Sequence, residues 1–346
     1  MLTCAAVFRH LCTNVHLVMK FITFLFVLCA CWLLLSGWGF LMHRTINQLA
    51  VYTLPAPLQQ FMWRHMKYLV KESVRPDQRR SRDSTEAPKH FIDLEAFGPN
   101  AANDMPLRWE EAVRRYGTDS LEKYGYVPYH IMAVQRQLTQ AMRTRKRDSI
   151  LFYAADLGHY VADAHVPLHT SLNYDGQLTN QKGMHSLWES TLPELQLNTY
   201  KLYTAHKAYY LSQPEKQIWE AIRGAHAEVP RLLALEREVS KGFTDSTKYR
   251  FRMRRGREVR SYSTAFARAY GNKVNASVQR QHLRAVRLLG DLWYTAWVNA
   301  GRPALHTLSP TTTAQNDSLK VELHYFKTNQ LLQKGKLLSR RKQNEE

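Results

Sequence analysis

Side chains of metal-ligand type are concentrated in one short stretch of the chain, residues 155–189. They are His159, Asp163, His169, His185 and Glu189. His159 and Asp163 are four residues apart, so on a helix they lie on one face, one turn apart. His185 and Glu189 repeat that spacing. Two such helical pairs and a third histidine can converge on a cluster of cations, and this convergence constrains the fold more than any other sequence feature.

A proline separates the first pair from the next histidine. Pro167 lies between Asp163 and His169, and proline disfavours helix at and just before its own position, so the first helix should end or kink there. Imidazole nitrogen and carboxylate oxygen are both ligands that zinc accepts. One His–Asp pair at this spacing is common on a surface or in a core, but the complete set indicates a metal centre.

The composition indicates a globular chain with a basic surface. Its 346 residues are enough for one large domain or two small ones. A total of 48 Lys and Arg against 29 Asp and Glu gives a net charge of +19. Such a surface attracts polyanions, including nucleic acid, anionic lipid head groups or lipopolysaccharide. A solvated basic surface without a special partner is the alternative.

The amino terminus has the pattern of an export signal. Residues 21–35 form an apolar run with a lysine before it and small residues after it. We therefore predict a signal peptide over residues 1–37, with Met19 as an alternative start, and a periplasmic or secreted protein. An uncleaved membrane anchor is the alternative. Cleavage after Gly37 would remove all four cysteines and leave Trp38 as the first mature residue.

Apolar residues recur at helical spacing through most of the remaining chain, whereas strand-like alternation is scarce. The pattern predicts an all-α protein whose helices, about eight in number, form one domain over residues 38–303. The predicted helices cover residues 43–54, 58–73, 107–116, 134–145, 149–164, 195–211, 216–239 and 264–299. Residues 75–89 are predicted to be a polar loop, and residues 304–346 a basic, loosely ordered tail.

Three upstream pieces add side chains of the same kinds. Trp38 is followed by His43, Asp77 is followed by arginines that include Arg80, and His90 begins the sequence HFID. Together with the downstream set, this order resembles the S1/P1 nuclease family and its relative, the bacterial zinc-dependent phospholipase C. The resemblance covers the chain from residue 38 to about 190 through motifs, and to about 300 in helical plan.

The resemblance implies a single mainly helical domain around a trinuclear zinc cluster. It assigns the first zinc ion to Asp77, His90, His159 and Asp163. It assigns the second zinc ion to His169, His185 and Glu189. It assigns the third to His43, Asp163 and the amino nitrogen and carbonyl oxygen of Trp38. These ligand types suit a catalytic zinc site, which keeps open coordination positions, and a terminal amine can lose its proton to a metal near neutral pH.

The same resemblance implies the chemistry, which is hydrolysis of a phosphodiester by zinc-activated hydroxide. It gives catalytic roles to Asp77, Asp163 and Arg80, and Arg80 would also bind the substrate by stabilising charge on the scissile phosphate. Phe91 matches a base-stacking aromatic of the nucleases. The plainer alternatives are a solvated arginine at position 80 and an ordinary core aromatic at position 91.

The motifs constrain the metal centre more closely than the substrate. The leading prediction is an exported, monomeric endonuclease that acts on single-stranded DNA or RNA, leaves 5′-phosphates and has no protein partner. The spacing of Trp38 and His43, and the presence of Arg80, favour a nuclease. Glu189, where the nucleases carry Asp, and the tight loop before His185 favour a phospholipase C acting on phospholipid head groups. A non-catalytic zinc-binding envelope protein is the third alternative.

Overall fold

The computed structural model describes residues 40–254 and 257–340. Its helices are α1 (Leu41–Val51), α2 (Ala56–Arg64), α3 (Met66–Glu72), α4 (Arg75–Arg79), α5 (Ala101–Asp104), α6 (Trp109–Tyr116), α7 (Thr118–Tyr124), α8 (Val127–Arg143), α9 (Arg147–Asp163), α10 (Met184–Ser186), α11 (Leu192–Gln196), α12 (Pro214–His226), α13 (Val229–Ser240), α14 (Asp245–Lys248), α15 (Thr264–Asn299) and α16 (Thr313–Lys327). Single turns of 3₁₀ helix lie at Ala87–Lys89, Leu94–Phe97, Pro167–Thr170, Gln177–Thr179, Leu197–Thr199, Leu305–Leu308 and Leu338–Arg340, and a π-helical turn lies at Leu187–Thr191.

Two antiparallel strands, β1 (Tyr249–Arg254) and β2 (Arg257–Tyr262), form a hairpin, and they are the sheet structure of the described residues. Apart from this hairpin the fold is helical, which confirms the all-α prediction. Within the described ranges, no helix combines the length and the apolar character needed to cross a membrane.

Helix α1 lies at the centre of the core. It packs against α3, α9 and α15, and every one of its residues except Arg44 is buried. Two of its buried polar side chains donate hydrogen bonds within the helix, the Thr45 hydroxyl to the carbonyl oxygen of Leu41 and the Asn47 amide to that of His43. Helix α1 therefore carries His43 into the interior without leaving these donors unpaired.

A glycine permits the close approach of α1 and α9. A Cβ atom at Gly158 would lie 2.2 Å from Oδ1 of Asn47, a distance that real Cβ atoms do not show. Gly158 directly precedes His159, and Asn47 lies one turn after His43 on α1. The missing side chain thus allows the two helices that carry these histidines to meet.

The long helix α15 spans the core and matches the predicted range 264–299. It begins where the Ser263 side chain accepts a hydrogen bond from the backbone N–H of Phe266 at 3.2 Å. It packs against α1, α8, α9 and α13, and the indole of Trp293 donates to the carbonyl oxygen of Ala154 on α9. Helix α15 therefore supports the helix that carries two of the predicted ligands.

The prediction of a helix over residues 195–211 is wrong beyond the first turn. After Leu197–Thr199 the backbone is irregular, and side chains from other elements accept its N–H groups. Asn329 accepts from Leu202 at 2.6 Å, and Asp291 accepts from Tyr209 at 3.0 Å. These side chains replace the helical hydrogen bonds that apolar periodicity alone had predicted.

Two other predicted helices are divided, and one predicted loop is partly helical. Residues 58–73 form α2 and α3, which meet at His65. Residues 216–239 form α12 and α13, and Pro230 stands in the first turn of α13, where proline is tolerated. The predicted loop 75–89 contains α4, a short helix with a proline in its own first turn.

The prediction of a loosely ordered tail is wrong for residues 304–340. Helix α16 begins with a capping box between Thr312 and Gln315. Its Glu322 accepts hydrogen bonds from the Trp63 indole at 2.8 Å and the Tyr52 hydroxyl at 3.1 Å. Leu331 and Leu337 are buried beyond it. A few buried contacts order this polar segment, whose composition suggested disorder. The described residues include neither residues 1–37, for which the signal peptide is predicted, nor residues 341–346.

Candidate metal centre

The predicted ligands that the structure describes come from separate elements and meet in one cluster. His43 lies on α1 and Asp77 on α4, His90 follows the turn Ala87–Lys89, and His159 and Asp163 lie on α9. The remaining ligands are His169 on the turn Pro167–Thr170, His185 on α10 and Glu189 on the π-helical turn. Trp38, the ninth predicted ligand, lies outside the described residues.

The innermost group contains the four residues assigned to the first ion. His90 Nδ1 lies 2.9 Å from Asp163 Oδ2 and 3.0 Å from His159 Nε2. Asp77 Oδ1 lies 3.8 Å from His90 Nδ1 and 3.9 Å from His159 Nε2. His90, His159 and Asp163 are almost completely buried, whereas the Asp77 side chain is 26% exposed. We call these four residues the inner group.

The second group is closer to the surface. His169 Nε2 lies 2.9 Å from His185 Nε2, and His185 Nε2 lies 2.6 Å from Glu189 Oε2. The His185 side chain is 32% exposed. The predicted pairing of His185 with Glu189 is present, although a π-helical turn, a form often found at functional sites, carries Glu189. We call these three residues the outer group.

His43 connects the two groups. Its Nε2 atom lies 3.6 Å from Asp163 Oδ1 and 3.2 Å from Glu189 Oε1. Its ring stacks on that of His159, with 4.2 Å between the ring centroids. Asp163 directs Oδ2 to the inner group and Oδ1 toward His43 and His169. The position of Asp163 is therefore compatible with the bridging role that the resemblance implies.

Backbone carbonyl groups determine which ring nitrogen of two histidines carries the proton. His159 Nδ1 lies 2.8 Å from the carbonyl oxygen of Ser73, and His169 Nδ1 lies 2.8 Å from that of His90. A carbonyl oxygen can only accept a hydrogen bond, so Nδ1 must donate. In the neutral rings, Nε2 then presents a lone pair to the cluster. The donor set therefore fits metal cations held by nitrogen and oxygen ligands.

The buried carboxylates remain negative because imidazole groups surround them. Burial alone would raise the pKa of Asp163, but His159 and His169 hold it well below its usual range. Burial likewise opposes charge on His90, but hydrogen bonds to Asp163 and Glu86 raise the pKa of His90 to about 9. The cluster therefore concentrates negative charge that attracts protons or metal ions, and a metal must displace the protons.

Three groups of His, Asp and Glu in the described residues have the proximity that a metal ion requires. The groups are His43, His159 and Asp163, then Asp77, His90 and His159, then His169, His185 and Glu189. A family model, S1/P1 Nuclease, matches residues 38–289, which is well over half of the chain. The chain belongs to the S1/P1 nuclease family. No curated protein matches it.

Membership of the S1/P1 nuclease family implies a hydrolase that acts on phosphodiester bonds. The family match includes every described ligand position of the cluster. The family in general depends on zinc, and the three groups provide nitrogen and oxygen ligands that suit this metal.

Arg80 lies beside the inner group, where the resemblance expects a residue that contacts phosphate. Its Nη1 atom is 3.6 Å from Asp77 Oδ1, and its side chain is 44% exposed. Phe91 is half-buried, and its ring lies against Gly125, where a Cβ atom would be 2.6 Å from the ring. The exposed guanidinium of Arg80 is therefore free to meet a ligand, whereas part of the Phe91 ring is covered.

Glu86 supports the inner group and is absent from the sequence predictions. It is buried and accepts hydrogen bonds from the Tyr160 hydroxyl and from Arg79 Nη2. Its Oε1 atom lies 3.5 Å from His90 Nε2, on the side of the ring that faces away from the cluster. Glu86 and His90 are four residues apart, the spacing of the two recognised ligand pairs. That repeated spacing was a usable signal.

Proposed function

We propose that this chain is a zinc-dependent nuclease that hydrolyses phosphodiester bonds in single-stranded DNA or RNA. One observation carries the proposal. Imidazole and carboxylate ligand atoms of the inner group converge around Asp163, those of the outer group converge at Glu189, and His43 lies between these two carboxylates, in a chain that belongs to the S1/P1 nuclease family.

Three zinc ions would be held by ligands that this cluster provides. The inner group, Asp77, His90, His159 and Asp163, would hold one ion. The outer group, His169, His185 and Glu189, would hold another, and His43 with Asp163 would contribute to a third. Bound zinc would supply positive charge that lowers the pKa of a water molecule and neutralises charge on phosphate oxygens.

Exposure indicates the side from which a phosphodiester would approach. Asp77 and His185 have side chains that are 26% and 32% exposed, whereas His159 and Asp163 are nearly inaccessible. A substrate phosphate would therefore enter near Asp77 and His185. Arg80 lies beside Asp77 with its guanidinium exposed, so it would donate hydrogen bonds to phosphate oxygens as charge develops on them.

The remaining groups orient the ligands. The carbonyl oxygens of Ser73 and His90 hold the rings of His159 and His169 with Nε2 toward the cluster. Glu86 holds His90 from the opposite side. Side chains held in this way lose less freedom on binding metal and substrate, which favours both affinity and rate.

A phospholipase C acting on phospholipid head groups is the second candidate, because the outer group ends in Glu189 rather than the Asp of the nucleases. An assay separates the two candidates. Release of acid-soluble nucleotides from single-stranded DNA is measured beside hydrolysis of phosphatidylcholine, each with a chelator control. We expect chelator-sensitive nucleotide release. Lipid hydrolysis without nucleotide release would overturn the nuclease proposal, and no turnover of either substrate would favour a non-catalytic zinc protein.

We further propose that the protein is exported to the periplasm or secreted. The support is the apolar run at residues 21–35, with a lysine before it and small residues after it. Amino-terminal sequencing of protein from cell fractions tests this. A mature terminus near Trp38 in an exported fraction is expected, and an uncleaved chain confined to the cytoplasm would contradict it.

A further inference from the structure

The hairpin β1–β2 is the most arginine-rich part of the chain outside the metal centre. Residues 249–262 contain six arginines and a single glutamate. Among the described residues, neither Arg250 nor Arg252 has a carboxylate within ion-pair distance, and both are exposed. Arg260 lies over the ring of Tyr249, 4.1 Å from its centroid. Within the part of the hairpin that the structure describes, Arg250 and Arg252 therefore present positive charge that acidic groups do not neutralise.

Large apolar side chains are exposed among these arginines. Phe251 is 52% exposed, Met253 is 70% exposed and Val259 is 43% exposed. The strand register places Phe251 opposite Arg260, and Arg252 opposite Val259. Residues that pair across antiparallel strands project on the same side of the sheet. Because side chains alternate between the two faces along a strand, Arg250 and Arg252 lie on one face with Val259, and Phe251 and Met253 lie on the other face with Arg260.

The base of the hairpin is attached to the segment that leads to the outer group. The Tyr262 hydroxyl donates to Glu236 at 2.9 Å and lies 3.1 Å from the carbonyl oxygen of Gln181. The Tyr262 ring lies beside Gly183, where a Cβ atom would be 3.4 Å away. Gly183 precedes α10, which carries the outer-group ligand His185. The base of the hairpin therefore lies beside the turn that leads into the outer group.

We propose that the hairpin is a nucleic-acid-binding arm that holds the single strand outside the metal centre. Arg250 and Arg252, which are two residues apart on β1 and therefore lie on the same face of the hairpin, contact backbone phosphates. Guanidinium groups bind phosphate in a bidentate manner, and phosphate contacts do not depend on the base. This inference rests on the proposed nuclease function, because it places the arm beside the site of cleavage.

The family of the chain favours nucleic acid over a lipid surface as the partner of the arm. The chain belongs to the S1/P1 nuclease family, and the positive charge of Arg250 and Arg252 is complementary to backbone phosphates. A hairpin that binds a membrane would instead insert Phe251 and Met253, which lie on the face opposite to these arginines. Binding to vesicles distinguishes that outcome.

The test compares two substrates with one pair of matched variants. The arm variant is Arg250→Gln/Arg252→Gln. The control variant is Arg108→Gln/Arg114→Gln, which removes the same charge from two exposed arginines in and next to α6, a helix that packs against α7. The substrates are long single-stranded DNA and a dinucleoside monophosphate, whose single phosphate cannot occupy the metal centre and contact the arm at the same time.

The expected readout is the ratio of kcat/KM for long DNA to kcat/KM for the dinucleotide. It should fall about three- to tenfold in the arm variant and stay unchanged in the control. The dependence of DNA affinity on salt should become shallower by about 1.4 in the log–log slope, since two phosphate contacts are lost. An unchanged ratio, including one that results from an equal loss of kcat/KM on both substrates, would overturn the proposal of a nucleic-acid-binding arm.

A binding measurement keeps this test separate from failure of the proposed function. If the unsubstituted protein turns over neither substrate, the nuclease proposal has failed, and fluorescence anisotropy with labelled single-stranded DNA still examines the arm. Weaker DNA binding by the arm variant than by the control variant supports the arm proposal, and equal DNA binding by the two variants overturns it. The arm proposal would also be overturned if the arm variant lost binding to phosphatidylcholine–phosphatidylserine vesicles and kept its affinity for DNA. The hairpin would then bind membranes.

Discussion

The inner and outer groups of the metal centre have similar ligands but are held in different ways. The inner group lies on and against α9, where Gly158 allows α1 to pack closely, and His159 is fully buried. The outer group is carried by short turns, and its His185 is 32% exposed. The helical core thus fixes the inner ligands, whereas local turns fix the outer ligands. We therefore expect the inner group to be coupled to folding stability and the outer group to be more readily altered.

The largest effect is expected where the two groups meet. Replacement Asp163→Asn removes a carboxylate whose oxygens face both groups. Nuclease activity should fall by a factor of about 1,000 or more, because metal-ligand geometry and charge are both lost. Metal content by mass spectrometry should fall with it. Asp119→Asn, at an exposed position, is the control. Activity close to that of the unsubstituted protein would show that Asp163 holds no catalytic metal.

A change behind the inner group should have the next largest effect. Replacement Glu86→Gln weakens the contact that holds His90 from the side away from the cluster. Loss of such an orienting carboxylate typically costs about 10- to 100-fold in metal affinity. Zinc affinity measured by competition with a chelator should show this loss, and the exposed Glu122→Gln variant should not. Equal affinities in the two variants would mean that Glu86 does not orient His90.

Helix packing can be changed without touching a ligand. Replacement Gly158→Ala introduces a Cβ atom that would lie 2.2 Å from Asn47 Oδ1. We expect α1 and α9 to separate slightly, at a cost of about 1–3 kcal/mol in the free energy of unfolding. Chemical denaturation of the metal-free protein measures it. In the control Gly242→Ala, the new atom would be 3.7 Å from its nearest neighbour, so the change should be small. Similar stabilities would contradict the packing argument.

Histidines of the surrounding core should respond to acid in the opposite way from His90. Burial lowers the pKa of His282 to about 3 and that of His165 to about 4. Between pH 6.5 and these values the unfolded chain binds protons that the folded chain excludes, so acid destabilises the fold. Above pH 6.5 this contribution to stability is complete.

Substitution of one such histidine should reduce that pH dependence and leave stability above pH 6.5 little changed, so at neutral pH it has the smallest of the four effects. His282→Gln should make the fall in unfolding free energy between pH 6 and 4 shallower by about 1.4 kcal/mol per pH unit. The control is His306→Gln, at an exposed position. Denaturation curves over this pH range measure the slope. Identical slopes for both variants would contradict the burial effect on His282.

Local patterns were sufficient to predict the helical class and several long helices. The apolar periodicity of α9 and α15, and the four-residue spacing of His159 and Asp163, depend on neighbours in sequence. The structure brings the described ligands together, as their order in the chain suggested.

Features held by distant contacts could not be predicted in the same way. The segment after Leu197 is held by side chains such as Asn329 and Asp291, far away in sequence. The carbonyl of Ser73 orients His159 across 86 positions of the chain. The polar end of the chain is ordered because Glu322 accepts from Trp63 on α2. Periodicity and composition do not record such contacts.

The most direct test of the central claim is a zinc titration of the metal-depleted protein with single-stranded DNA as substrate. We predict that nucleotide release is absent without metal and returns as zinc binds. We also predict that Asp163→Asn abolishes the recovery. Full activity in protein shown by mass spectrometry to contain no metal would contradict the account.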